Sequence, residues 1–231
     1  MIIHGLQKTT LLDYPSKVAA TVFFGGCNFR CPFCHNMNLV LDPDSAEHLP
    51  EEEVLAFLNS RKGILDGICI TGGEPTLQKD LPAFIGKVKS LGLCVKLDTN
   101  GTNPAMLRSL IDEKLIDYSA MDIKAAPDDY REVCNVSDPQ LDAVKESVSI
   151  LLAGRIPYEF RTTIVAEYHH EDSMKKIGEW IRGADAYFLQ SFTDSDFVPD
   201  HNLHACDKET LLRFQQIVSP YVHAVSLRGV E

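Results

Sequence analysis

No stretch of this chain is apolar for long enough to span a membrane, and residues 1–8 lack the basic start and apolar run of a secretion signal. The expectation is a cytoplasmic protein with no membrane partner. A basic face is missing as well: the formal net charge is -11, and the only adjacent lysines are Lys175 and Lys176. That balance excludes a general binder of phosphate backbones, so no nucleic acid is expected as a partner. The seven cysteines are odd in number and do not form a disulfide framework, which fits a reducing compartment. Linkers, low-complexity tracts and short-period repeats are also absent. With 231 residues, 45% of them hydrophobic, the chain has enough apolar material for one full core.

What is present is a rhythm. Short apolar, β-branched runs read as strands at 18–24, 67–71, 93–97, 118–123, 158–165, 186–190 and 222–227. Amphipathic stretches at 50–59, 81–91, 104–114, 141–152, 173–182 and 208–218 lie between them and read as helices. Alternation of this kind requires crossover connections and therefore a parallel sheet. Six or seven units predict an α/β protein built as a partial or complete (β/α) barrel, with a flat doubly wound sheet as the alternative.

The most informative segment follows the first of these strands: Gly26-Cys27-Asn28-Phe29-Arg30-Cys31-Pro32-Phe33-Cys34-His35-Asn36. Three thiols this close serve one metal centre, and CxxxCxxC spacing leaves the fourth position to something other than cysteine. An iron–sulfur cluster on three thiolates keeps one iron open for chemistry. A zinc site using His35 as its fourth ligand is the rival, although adjacent side chains rarely aim at one ion.

Other polar clusters fall at successive strand ends. Thr71-Gly72-Gly73-Glu74-Pro75 joins two glycines, which permit close backbone approach, to a carboxylate, and together they suit an ammonium group. Asp98-Thr99-Asn100-Gly101 offers acceptors for hydroxyls or a small cation. Asp122 and Lys124 share one side of a strand by period two. Arg161 shares its face with Glu159 and Thr163, opposite apolar neighbours, and is expected to point inward toward an anion or to pair with Glu159 or Asp122. In a parallel barrel all strand carboxyl ends meet at one face, so the clusters converge. Cys69 and Cys94 read as core residues, Cys134 and Cys206 have no assigned role, and His169-His170-Glu171 reads as a polar loop.

The cysteine motif, with an aromatic before its third cysteine, followed by Gly72-Gly73-Glu74-Pro75, resembles the radical S-adenosylmethionine enzymes. The stretch 6–39, with Leu12-Asp13-Tyr14-Pro15-Ser16-Lys17, is similar to the anaerobic ribonucleoside-triphosphate reductase activating proteins. The pieces at Asp98 and Asp122 resemble the pyruvate formate-lyase activating enzymes. This resemblance implies a partial (β/α)6-type TIM barrel as a single domain over 1–231, with a short extension, 1–16, before it. It implies a [4Fe–4S] cluster on Cys27, Cys31 and Cys34 whose open iron chelates S-adenosylmethionine, with a monovalent cation as a further candidate ligand. By the same resemblance Gly72, Gly73 and Glu74 meet the methionyl amino group, and the backbone from Phe33 to His35 lies near adenine. Asp98, Thr99, Asn100 and Asp122 flank the ribose, carboxylate or cation, and Lys124 and Arg161 face the carboxylate. Reduced flavodoxin or ferredoxin delivers the electron that cleaves the cofactor to a 5′-deoxyadenosyl radical, which takes a glycine Cα hydrogen from a glycyl radical enzyme. The implied partner is the large subunit of anaerobic ribonucleotide reductase.

Two departures stand out. Where the pyruvate formate-lyase activases end a strand with a histidine, this chain has Leu189-Gln190-Ser191, so Gln190 takes that position beside the cofactor. No ferredoxin-like cysteine insert stands between His35 and Cys69. A radical enzyme with a small-molecule or peptide substrate, and a non-catalytic zinc-binding module, remain as alternatives.

Overall fold

The computed structural model describes residues 1, 3–41 and 48–230. Eight strands form one sheet in sequence order: β1 (Ile3–Thr10), β2 (Ala19–Phe24), β3 (Gly67–Gly72), β4 (Cys94–Thr99), β5 (Tyr118–Asp122), β6 (Tyr158–Ile164), β7 (Tyr187–Ser191) and β8 (Val225–Arg228). Strands β2 to β8 are parallel, as the alternation requires, and β1 is antiparallel to β2. β1 does not pair with β8, so the barrel is partial. Its curvature brings the two free edges near each other, because residues following β1 and residues at the end of β8 line one cavity.

The helices are α1 (Met37–Leu41), α2 (Glu51–Ser60), α3 (Leu81–Ser90), α4 (Pro104–Asp112), α5 (Tyr130–Cys134), α6 (Asp138–Leu152), α7 (Glu171–Trp180) and α8 (Lys208–Val218). Their starts are chemically marked. Asn103 accepts the Met106 N–H, Asp207 accepts the Thr210 N–H, and Ser137 with Gln140 forms a capping box. Three glutamates in the first turn of α2 face its positive dipole end. On α3, Leu81, Phe84, Ile85 and Val88 recur at helical spacing and are buried. Each is worth about 1.5–3 kcal/mol of transfer from water.

Two features depart from the sequence expectation. Residues 1–16, expected to precede the barrel, supply its edge strand β1, whose exposed Gln7, Lys8 and Thr9 leave no continuous apolar run to read. The helices α1 and α5 were not expected either, because five residues are too few to establish a period.

Candidate active site

The cysteine loop leaves β2 through Gly26, at φ +83, and is tied down by its backbone. The Gly26 N–H donates to the Leu39 carbonyl at 2.8 Å, and the Arg30 guanidinium donates to the carbonyls of Cys27 and Phe29 at 2.7 and 2.8 Å. The loop thereby presents Cys27, Cys31 and Cys34 to one cavity of about 250 Å³. In the metal-free chain burial pushes the Cys27 thiol up to about 12 and raises Cys34 as well, so ligation has to displace their protons. Asn100 Nδ2 lies 3.7 Å and the Phe29 N–H 3.4 Å from the Cys27 sulfur, two donors aimed at a developing thiolate.

His35 does not complete a tetrahedron with the thiols. Its Nε2 is 2.6 Å from the Thr193 carbonyl and its ring packs on Phe192. Among the described residues no three His, Cys, Asp or Glu side chains converge on a single point.

The glycines at the end of β3 serve close approach. A Cβ on Gly73 would stand 2.0 Å from the Gly26 carbonyl oxygen, and Gly72 adopts φ +117 with its Cβ position 2.3 Å from the Phe24 oxygen. Backbone hydrogen bonds from Gly73 N–H to Phe24 and from Glu74 N–H to Gly26, each 2.8 Å, lock this turn against the cysteine loop.

Glu74 is held in a network that the sequence did not show. It is fully buried, and its carboxylate accepts from Thr76 N–H at 3.1 Å, Thr76 Oγ1 at 2.5 Å, Thr99 Oγ1 at 2.8 Å and Asn100 N–H at 2.6 Å. Burial raises its pKa and these donors oppose the rise. The side chain clamps the β3 turn to the end of β4 and does not line the cavity.

Inside the barrel the charges alternate. Lys96 pairs with Asp98, Arg161 Nη1 reaches Asp98 at 3.0 Å, Arg161 Nε reaches Asp122 at 2.8 Å, and Lys124 reaches Asp122 at 2.9 Å. Burial alone would raise both aspartates, but Arg161 with Lys96 holds Asp98 below the usual carboxylate range, and Arg161 with Lys124 does the same for Asp122. Three cations share two carboxylates, so this row carries a net positive charge. Burial opposes the charge on Lys124, yet Asp122 more than compensates and keeps it protonated. An ammonium has three N–H donors and Lys124 spends one on Asp122, which leaves it able to meet a further anion. Glu159 takes no part, since it pairs with Arg228 at 3.1 Å and Tyr118.

Apart from Glu74, every residue expected from the sequence to hold the cluster or its cofactor lines this cavity: the three cysteines, Phe33, His35, Gly72, Gly73, Asp98, Thr99, Asn100, Asp122, Lys124, Arg161 and Gln190. Lys96, 1% exposed, was missed, although the period-two logic that joined Asp122 to Lys124 also joins Lys96 to Asp98. His169 lies in the loop between β6 and α7, as expected, but its side chain is a buried pin. Its Nδ1 accepts the Val165 N–H at 3.0 Å and its Nε2 meets the Lys124 carbonyl at 3.1 Å, tying β6 to the end of β5. A second cavity, of about 400 Å³ and lined by Leu12, Asp13, Lys96, Arg161, Gln190, Arg228 and Gly229, shares Arg161 and Gln190 with the first.

Comparison with known proteins places these features. A model of the Radical SAM superfamily matches residues 21–181. A Methanocaldococcus jannaschii protein, assigned by name as a glycyl-radical enzyme activating enzyme, is 33% identical over 99% of this chain and 96% of its own. The pyruvate formate-lyase-activating enzyme of Clostridium pasteurianum is 32% identical over 55% of this chain and 54% of its own. Among solved structures, SuiB of Streptococcus suis bound to its precursor peptide SuiA superimposes with a TM-score of 0.70 at 14% identity, covering 89% of this chain and 47% of that one. The chain thus spans about half the length of that structure, and the likeness is one of fold.

Proposed function

Because the chain belongs to the radical SAM superfamily, whose enzymes use a [4Fe–4S] cluster and S-adenosylmethionine, we propose that it activates a glycyl radical enzyme, with anaerobic ribonucleoside-triphosphate reductase as the target. When bound and reduced, those cofactors supply a carbon-centred radical that takes a hydrogen atom from a glycine Cα. Cys27, Cys31 and Cys34 hold the cluster and leave one iron open. Lys124 and Arg161 receive the methionyl carboxylate, and the Gly72–Gly73 backbone receives the amino group. Asp98 and Asp122 stand by the ribose or a monovalent cation, with Thr99 and Asn100 beside them, and the backbone from Phe33 to His35 borders adenine. The second cavity, lined by residues that follow β1 and end β8 and sharing Arg161 and Gln190 with the first, is the place offered to the glycine-bearing loop. A partner seated there excludes water from the radical. The electron comes from reduced flavodoxin or ferredoxin, and the protein works in the cytoplasm as one domain over 1–231. Among the described residues no helix is long and apolar enough to cross a membrane.

The observation that carries this reading is the convergence of residues 27 to 161 on one cavity in a chain alike over its whole length to a glycyl-radical activase by name. The test is anaerobic reconstitution with iron, sulfide, dithionite and S-adenosylmethionine, which is expected to yield 5′-deoxyadenosine and, on a co-incubated reductase, a doublet glycyl radical signal. Absence of 5′-deoxyadenosine overturns the chemistry. Its formation without a glycyl signal overturns the target and points to a small-molecule or peptide substrate. One zinc per chain without iron–sulfur absorption establishes a zinc-binding module.

A further inference from the structure

A closed ring of side-chain hydrogen bonds, with no part in the reading above, joins the cysteine loop to the end of β4. Asn100 Nδ2 donates to Asn28 Oδ1 at 3.0 Å, Asn28 Nδ2 donates to the Thr102 hydroxyl at 2.8 Å, and that hydroxyl donates to Asn100 Oδ1 at 2.7 Å. Asn28 follows Cys27 directly, and 72 residues of chain separate it from Asn100, so only the fold closes the ring. A fourth bond settles which way the Asn100 amide points. The Thr102 backbone N–H, which can only donate, reaches Asn100 Oδ1 at 3.0 Å, so the oxygen must face Thr102. The amide NH2 then faces the cysteine loop, one hydrogen on Asn28 and the other toward the Cys27 sulfur, 3.7 Å away. The Phe29 N–H reaches the same sulfur at 3.4 Å. Asn100 is 6% exposed, and its backbone N–H is held by Glu74 at 2.6 Å, which fixes the residue from its other end.

We propose that Asn100, oriented by this ring, raises the reduction potential of the cluster that Cys27 helps to hold, by donating an N–H to the Cys27 sulfur. In this role Asn100 acts through Cys27 and not on the reacting atoms. Reduction adds one electron, and with it one negative charge shared with the ligating sulfurs. An N–H donor stabilises a sulfur more as that sulfur grows more negative, so it favours the reduced state. Thr102 does not line the cavity and serves by holding the amide in its orientation. The inference rests on the assignment of Cys27 as a cluster ligand, made in the proposed function.

The test is an electrochemical titration of the anaerobically reconstituted full chain, comparing wild type with N100L, T102V and T102S. S-adenosylmethionine and partner are left out, so contacts of Asn100 with the cofactor do not enter. N100L, which keeps the size and loses the donor, is expected to load iron and sulfide with a more negative midpoint. The one-electron equilibrium constant should fall about tenfold, equivalent to about 59 mV. T102V keeps the volume and drops the hydroxyl, so its midpoint should move the same way by less. T102S keeps the hydroxyl and should match wild type, whereas a packing effect would move serine and spare valine. Equal midpoints in wild type and N100L overturn the proposal. Where N100L does not fold, the threonine variants decide: T102S moving as far as T102V, or T102V matching wild type, overturns it. A wild-type chain that takes up no iron and sulfide sinks the assignment of Cys27 and this proposal with it. A chain that loads its cluster and shows the shifts but forms no glycyl radical sustains the role of Asn100 and sinks only the target.

Discussion

Replacing Glu74 by glutamine separates a structural clamp from a direct cofactor ligand. Its Oε1 takes the two Thr76 donors and the Thr99 hydroxyl, and its Oε2 takes the Asn100 N–H at 2.6 Å. Glutamine can keep the first three bonds with its carbonyl oxygen, but its amide nitrogen then faces the Asn100 N–H, donor against donor. The loss is one hydrogen bond to a charged group, about 1.5–3 kcal/mol, plus unsatisfied buried donors at about 1–3 kcal/mol. Relief of a buried charge offsets part of it. The net expectation is about 3 kcal/mol, which at this chain length lowers Tm by roughly 6–12 °C. The assay is thermal unfolding of the metal-free, cofactor-free chain, wild type against E74Q. A clamp predicts the full loss there. A carboxylate that served only to bind an ammonium group would leave the metal-free chain unchanged and weaken only cofactor binding, and an unshifted Tm refutes the clamp.

Arg161→Gln removes the centre of the charge row while Asp98 keeps Lys96 and Asp122 keeps Lys124. S-adenosylmethionine binding to the reconstituted chain is expected to weaken roughly ten- to hundredfold, the equivalent of one charge-assisted hydrogen bond, and equilibrium dialysis giving an unchanged Kd counts against the placement. Gly73→Ala sets a Cβ against the Gly26 backbone and is expected to cost about 3 kcal/mol and to abolish cluster uptake. Helical Gly86→Ala, whose Cβ meets nothing within 4 Å, should instead stabilise by about 0.5–1 kcal/mol. Burial lowers His169 from the ordinary 6.5 to about 4, so between those values the unfolded chain binds the extra proton. Stability therefore falls as pH drops through that window, by about 3 kcal/mol in all, and urea midpoints at pH 7 and pH 4 should show a fall that H169Q lacks.

Much of the molecule is legible along the chain because its cues are local. The parallel order follows from strand–helix alternation, and the helix starts carry their caps in the residues themselves, such as Pro50 before Glu51, Glu52 and Glu53. The three-cysteine spacing marks a candidate metal centre without any knowledge of the fold, though spacing alone leaves zinc open, and strand ends in a parallel sheet must share a face, so Gly73, Asp98, Asp122 and Lys124 were placeable together. Tertiary structure decided what depends on distance in space. It turned Glu74 inward, because Thr76 and the separate segment Thr99–Asn100 supply its donors and no spacing rule links residue 74 to residues 99 and 100. It gave Arg161 two carboxylates on different strands, placed β1 on the sheet edge, and set the end of α5 against the cysteine loop, where the Arg30 N–H donates to the Cys134 carbonyl. Side-chain orientation at a buried site is settled by which polar groups find partners when water is excluded, and that competition exists only once the chain has folded.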